Sequence, residues 1–187
     1  MGTQPVIALD AMSGDLGAEV VVRAARACLD KTANLELILV GDTDEIDSLV
    51  TRIVGNEPRL SICSATEVVG MSESAADAIR KKKDSSMRVA INLVKDGVAE
   101  ACVSAGNTGA LMATAKFVLK MLPGIDRPAL IAELPAKIGT VHMLDLGLNT
   151  ANDPEQLFQF ALMGSIVTSS ICDIDRPRVG LLNIGVE

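Results

Sequence analysis

The chain has no Trp, no Tyr and only three Phe in 187 residues, so aliphatic side chains must supply its core. The same shortage leaves few stacking platforms for nucleic acid, and a formal charge of −7 argues against the basic face such a partner requires. His142 is the only histidine. It lies inside an apolar run rather than at the end of one, so it reads as a packed or surface strand residue. Without a second imidazole, Ser–His and Cys–His nucleophilic catalysis have little support. Cys28, Cys63, Cys102 and Cys172 are widely spaced with no Cys-x-x-Cys pair. With one histidine this excludes the usual zinc sites, and the four thiols read as reduced, buried, small apolar residues. No apolar run approaches the length of a membrane span. The opening Met-Gly-Thr-Gln-Pro lacks the basic and apolar segments of a signal peptide, and Val6 stands where a myristoylation signal needs Ser or Thr. The expectation is a cytoplasmic protein.

What is present is Val, Ile, Leu, Ala and Gly: 49% of the residues are hydrophobic. That composition suits a buried parallel sheet covered by helices. Strand-like runs fall at residues 6–10, 35–40, 60–63, 101–103, 129–134, 141–146 and 179–184. Helical periodicity falls between them: Val21, Ala24, Ala25 and Cys28; Ile46, Leu49, Val50 and Ile53; Leu111, Ala115, Val118 and Leu122; Leu157, Phe160, Ala161 and Gly164. Residues 72–97 read as two helical pieces, the second capped by Asp84, Ser85 or Ser86 and buried through Met87, Ala90, Ile91 and Val94. Pro154 suits the first turn of a helix. Alternating strands and helices imply βαβ units, right-handed crossovers and a three-layer α/β fold with a mainly parallel sheet. No internal repeat or linker-like composition break divides it. A chain that stops just after a strand is expected to be either one α/β domain or the N-terminal portion of a longer protein.

In open α/β sheets ligands bind beyond the carboxyl ends of the strands, where strand order reverses. Those ends are polar or glycine-rich here: residues 10–17, 41–42, 104–109, 145–149 and 183–185. Residues 104–110, Ser-Ala-Gly-Asn-Thr-Gly-Ala, form the most informative turn. A strand delivered into a small-residue turn that opens a helix leaves backbone N–H groups free for an oxyanion. It is neither a Walker loop nor a Gly-x-Gly-x-x-Gly fingerprint. The competing reading is an ordinary βα turn. For Asp10 and Asp15 the alternative is capping of the next helix, and for Asp145 and Asn149 it is turn formation. Arg80, Lys81, Lys82 and Lys83, with Arg88 beyond, are the one basic concentration, read either as a solvated face or as a docking surface for an acidic partner.

Taken in order, these turns resemble the bacterial phosphate acyltransferase family of the PlsX type. The matching stretches are Ile7-Ala8-Leu9-Asp10-Ala11-Met12 with Gly14-Asp15 and Gly17; Ala78-Ile79-Arg80; Ser85-Ser86-Met87-Arg88-Val89-Ala90; residues 103–112; Gly124-Ile125-Asp126-Arg127-Pro128-Ala129; Leu144-Asp145-Leu146-Gly147 with Asn149; Gln159-Phe160-Ala161 with Met163-Gly164-Ser165; and Pro177-Arg178-Val179 through Asn183-Ile184-Gly185. Ser13, Ala18, Leu148, Thr150 and Val186 depart from that pattern. The resemblance covers roughly the N-terminal half of the family's chain.

The resemblance implies a fold related to isopropylmalate dehydrogenase and phosphotransacetylase. It also implies transfer of a fatty acyl group from acyl carrier protein to inorganic phosphate, for phospholipid synthesis, with no cofactor and no metal. On that reading Ser104, Gly106, Asn107, Thr108 and Gly109 bind phosphate, and Asp10, Gly14 and Asp15 line the site. Asn107, Asp145, Asn149 and Asn183 serve catalysis, and Arg80, Lys81, Lys82, Lys83 and Arg88 grip the carrier protein. A homodimer and a peripheral membrane association through a downstream acyltransferase are further implications. The alternatives are an acyl-CoA-using phosphotransacylase, a dehydrogenase of the same architecture, and a non-catalytic carrier-binding fragment.

Overall fold

Strands β1 (Val6–Asp10), β2 (Glu36–Gly41), β3 (Leu60–Ser64) and β4 (Ala101–Val103) form one wholly parallel sheet in the order β3-β2-β1-β4. The computed structural model describes residues 4–182, and the chain divides into two units, residues 1–120 and 121–187. The sheet belongs to the first. In-register pairs such as Ala8 with Ile38 and with Cys102 fix the alternation of its faces. Ile7, Leu9, Leu37, Leu39, Leu60 and Ile62 pack on one side with Val22, Ala25, Leu29 and Ile46. Val6, Ala8, Ile38, Val40, Cys63 and Cys102 pack on the other with Ala90, Val89 and Leu93. The first side is covered by α1 (Ala18–Lys31) and α2 (Thr43–Ile53), and the second by α4 (Ser86–Lys95). Two-sided burial is why the central strands β1 and β2 read as nearly continuous apolar runs, whereas the edge strands β3 and β4 are only partly covered, with Val103 56% exposed. Helices α3 (Ala75–Lys81) and α5 (Thr108–Leu119) add a further cluster around Val69, Ala78, Met87, Ile91, Ala110 and Val118.

Caps account for the helix starts. The side chains of Asp42, Ser74, Ser85 and Asn107 each accept a backbone N–H from the first turn of α2, α3, α4 and α5. Of the three cap candidates for α4, Ser85 is the one used. Helix α1 starts instead at Gly17, with no side-chain cap, so neither Asp10 nor Asp15 caps it.

Several expected faces are rotated. On α1 the buried stripe is Val22, Ala25 and Leu29, which leaves Cys28 exposed. On α5 it is Ala110, Thr114 and Val118, and the helix ends before Leu122, which is 75% exposed. The four cysteines are free thiols, but Cys172 is also exposed and Cys63 and Cys102 are only half-buried. Burial pushes the Cys102 thiol up, with the Asp10 carboxylate adding to the effect.

In the second unit β5 (Ile131–Pro135) and β6 (Thr140–Leu144) form an antiparallel hairpin, a departure from the parallel pattern. Four residues between two strands are too few for a crossover, so a hairpin is the available connection. Helix α6 (Pro154–Cys172) packs on β6 and opens with a capping box of Asp153 and Gln156, with Pro154 in its first turn. Its buried residues are Gln156, Gln159 and Phe160, and Leu157 faces out. Gln159 is held inside by a two-way pairing with Asp126, which donates its N–H to Oε1 at 2.9 Å and accepts from Nε2 at 3.0 Å. His142 sits within β6, its Nδ1 3.0 Å from the Thr168 hydroxyl. Residues 179–182 are exposed and carry no strand, and the rest of the expected last strand lies outside the described residues.

Candidate functional site

Strand order reverses between β1 and β4: the chain moves outward through β2 and β3, then returns to the other side of β1. The crevice rule for open sheets therefore points at the carboxyl ends of β1 and β4. Asp10 ends β1 and is 2% exposed. Its Oδ2 accepts the Ser104 hydroxyl at 2.6 Å, and its Oδ1 accepts the Ser13 N–H at 3.3 Å. Ser104 Oγ in turn accepts the Gly106 N–H at 3.1 Å. One buried carboxylate thus orders both turns, the one after β1 and the one after β4.

The two turns are in close contact. A Cβ on Gly106 would lie 2.6 Å from Ser13 Cβ and 3.0 Å from Ser13 Oγ, so only glycine fits there. Gly14, at φ 102°, runs against Ala105; a Cβ on it would meet Ala105 Cβ at 3.2 Å and Ala105 O at 3.3 Å. The Ser13 hydroxyl is buried without a hydrogen-bond partner. Asp15 is exposed beyond Gly14.

This arrangement changes how donors are shared among the expected phosphate-binding residues. The Ser104 hydroxyl proton goes to Asp10 and the Gly106 N–H goes to Ser104, so neither is free for an anion. The Asn107 side chain is likewise committed to the protein itself. Its Oδ1 accepts the Ala110 N–H at 3.0 Å, and its Nδ2 donates to Met71 O at 2.8 Å and Glu73 O at 2.9 Å, with Gly70 O at 3.4 Å. Asn107 is therefore a cap and a loop tie. What remains directed outward is the first turn of α5: Thr108, which is exposed and carries a hydroxyl, and Gly109 behind it. Their amides precede the first intrahelical bonds and sit at the positive end of the helix.

Asp145 and Asn149 come together in the second unit. Asp145 Oδ2 accepts the Asn149 N–H at 2.6 Å and its Nδ2 at 3.1 Å, and Oδ1 accepts the Leu130 N–H at 2.8 Å. Asn149 Nδ2 also donates to Pro128 O at 3.0 Å. Partial burial pushes the Asp145 carboxyl up. The N–H groups of Asn149, Leu130 and Leu148 and the Asn149 amide outweigh this and hold it below the usual aspartate range. The pair closes the 145–149 turn against the segment ahead of β5. Asn183 lies outside the described residues.

The basic run is split. Lys81 pairs with Asp77 at 2.8 Å on the exposed side of α3, and that hydrogen bond raises its pKa. Arg80 and Lys83 are exposed and Lys82 is half-buried. Arg88 is set apart on α4, with Nε and Nη1 buried and its guanidinium 5.2 Å over the Phe117 ring. A separate depression of about 240 Å³ lies at the ends of β2 and β3, lined by Asp42, Thr43, Asp44, Ser64, Ala65 and Thr66. Its two carboxylates make it a poor anion site. Among the described residues no cluster of His, Cys, Asp and Glu is placed to hold a metal ion. No helix among them is long and apolar enough to cross a membrane.

An open parallel sheet with helices on both faces and a polar turn at its switch point places the chain among α/β proteins that take ligands at strand ends. More particularly, the family described as "Fatty acid synthesis protein" matches residues 6–187, and the chain belongs to it. The chain is similar to a phosphate acyltransferase of Nitrosococcus oceani, at 57% identity over 182 residues covering 97% of this chain and 54% of the relative. Phosphate acyltransferases of Coxiella burnetii and Pseudomonas putida are 56% and 52% identical with the same coverages. The chain thus spans about half the length of these curated relatives. Among solved structures it is similar to a phosphotransacetylase from Streptococcus pyogenes, with TM-score 0.69 and 22% identity over 94% of this chain and 56% of that one. The EutD phosphotransacetylase from Staphylococcus aureus gives TM-score 0.64 and 19% identity over 90% and 54%. At those identities the likeness concerns the fold.

Proposed function

We propose that the protein to which this chain belongs transfers a fatty acyl group from acyl carrier protein to inorganic phosphate, giving acyl phosphate. The observation that carries this reading is the hydrogen-bonded Asp10–Ser104–Gly106 chain at the β1/β4 switch point, which opens onto the N-terminus of α5. The relatives named phosphate acyltransferase supply the choice of phosphate and acyl group. A phosphate oxygen attacks the thioester carbonyl carbon, a C–O bond forms, and collapse of the tetrahedral intermediate breaks the C–S bond. The thiolate leaves with the bonding pair, and the phosphate proton passes to it or to solvent. The enzyme's task is to hold a dianion close to the carbonyl in a fixed orientation.

Thr108, through its N–H and hydroxyl, and Gly109, through its N–H, are the proposed phosphate donors. Asp10, Ser104, Gly106, Gly14 and Asn107 hold the turns that present them, and Asp15 borders them. A carboxylate beside phosphate would repel it, so the role assigned to Asp10 is to order the turns through its two internal bonds. Asp145 and Asn149 have the same role in the second unit. The acyl carrier protein as donor, a paired subunit, a role in phospholipid synthesis, a cytoplasmic location and contact with a membrane-bound acyltransferase belong to the same proposal.

Thr108→Pro in the full-length protein is the test. Proline is favoured at the first helical position, and Asn107 already has an extended ψ of 111°, so the helix start survives while the N–H and hydroxyl are both deleted. Two bonds to a charged ligand are worth about 100-fold or more, so the KM for phosphate should rise by at least that factor with a smaller effect on the acyl donor. An unchanged KM for phosphate would remove α5 from the site.

A further inference from the structure

The Asn107 amide ties the start of α5 to a loop from 34 to 37 residues earlier, through bonds to the carbonyls of Gly70, Met71 and Glu73. That loop is also closed on itself: the Glu73 N–H donates to Gly70 O at 3.1 Å, and Glu73 Oε2 accepts the Gly70 N–H at 2.6 Å. Its inner side is anchored by Val69, which is buried with Ala78, Met87, Ala110 and Val118. Its outer side exposes two apolar side chains, Met71 at 50% and Val68 at 39%, beside the exposed Ser72. The neighbouring part of the same turn, at Ala105 and Gly106, is contacted by the Ser13–Gly14 segment, and that segment leads directly to Leu16, 76% exposed.

Two loops in contact with the proposed phosphate turn therefore each expose an apolar side chain, Met71 on one and Leu16 on the other. Single exposed apolar residues are ordinary. Two of them fixed beside a helix N-terminus describe a rim for an amphiphile whose polar end sits at the turn and whose hydrocarbon leaves across it.

We propose that the 68–73 loop is the acyl-side wall of the phosphate site, that Met71, with Leu16 on the other loop, contacts the fatty acyl chain of the substrate, and that Asn107 is the positioning residue that holds this wall against the phosphate turn. The inference rests on the proposed acyl transfer to phosphate and adds to it the residues that set acyl-chain specificity. Methionine suits the role because its unbranched, polarizable side chain adapts to chains of different length. The chemistry accounts for the link: the bond that forms joins a phosphate oxygen to the acyl carbon, so the hydrocarbon must emerge within a few bonds of the anion.

The test uses full-length protein with Met71→Asp and Asn107→Ser. Serine caps a helix as well as asparagine does, so Asn107→Ser keeps α5 and cuts only the tie to the loop. Binding is measured calorimetrically without phosphate, using palmitoyl and acetyl carrier protein as probes, and turnover is measured separately with phosphate. Losing contact with about two methylenes should weaken palmitoyl binding roughly 10-fold in Met71→Asp, with a much smaller loss for acetyl, whose single methyl carries no such methylenes. Asn107→Ser should show the same chain-length-dependent loss, with KM for the palmitoyl donor rising more than kcat falls. Equal losses for both probes, or none, overturn the wall. If wild-type protein binds palmitoyl donor in this Met71-dependent way but makes no acyl phosphate, the acyl-transfer reading fails and the wall stands. If it makes acyl phosphate with Met71→Asp indistinguishable from wild type, the reverse holds. If it binds no acyl donor at all, both fail.

Discussion

Gly106→Ala is expected to destabilise the protein through a single contact, and Ser13→Gly is expected to restore it. A Cβ on Gly106 would meet Ser13 Cβ at 2.6 Å and Ser13 Oγ at 3.0 Å. The Ser13 β-carbon is attached to the backbone and cannot swing away, so one of the two turns must shift. Forcing an extra methyl into such a space costs about 1–3 kcal/mol, and here the shift also strains the Asp10 bonds to Ser13 and Ser104. Ser13→Gly deletes both obstructing atoms. The close contact left is Met87 Cε at 3.0 Å, the end of a flexible side chain. By itself Ser13→Gly should be nearly neutral, because the entropic cost of a new glycine of about 0.5–1 kcal/mol is offset by removal of a buried hydroxyl with no partner. In the Ser13→Gly background Gly106→Ala should then cost less than about 1 kcal/mol, a coupling of roughly 1–2 kcal/mol in a double-mutant cycle. The chain has no Trp or Tyr, so urea unfolding followed by far-UV circular dichroism is the suitable assay. Equal costs of Gly106→Ala in the two backgrounds would refute the argument that the 13–14 and 104–106 turns are packed atom against atom.

Two further outcomes follow from charge. Asn149→Ala should raise the pKa of Asp145, read by carboxyl-carbon NMR titration, since burial already pushes that carboxyl up and the Asn149 amide helps hold it down. Because the folded-state pKa is depressed, the stabilisation is present above the unfolded value of about 4 and is lost as pH falls through the lowered one, so the variant should differ from wild type least in strong acid. Charge reversal at the exposed Arg80 and Lys83 should raise the apparent KM for the proposed carrier-protein donor, more steeply at low salt, because exposed charge steers association and is screened as ionic strength rises. A salt-independent KM would leave the run as a solvated face.

The layered architecture was legible because burial on both faces of β1 and β2 leaves its mark on each residue, and short-range rules mark helix starts at Ser85 and Pro154. What exceeded the sequence was whatever depends on which strand lies next to which. The order β3-β2-β1-β4 joins Asp10 to Ser104 across 94 residues, and no periodicity encodes that adjacency. The same limit explains the helix faces. On α1 Cys28 and Leu29 are equally apolar in pattern, and the packing of the helix against β2 and α2 decides that Leu29 goes inside. Asn107 shows both sides of this. Its capping bond to Ala110 spans three residues and is readable from the turn alone, and that local signal invites the further step of giving its amide to a ligand. The amide is instead taken by carbonyls of a loop that the sequence places more than thirty residues away. A polar residue in a glycine-rich turn is thus a weak guide to ligand contact until its long-range partners are known. The donors left over after those partners are counted, at Thr108 and Gly109, are the ones on which the proposed phosphate binding should depend.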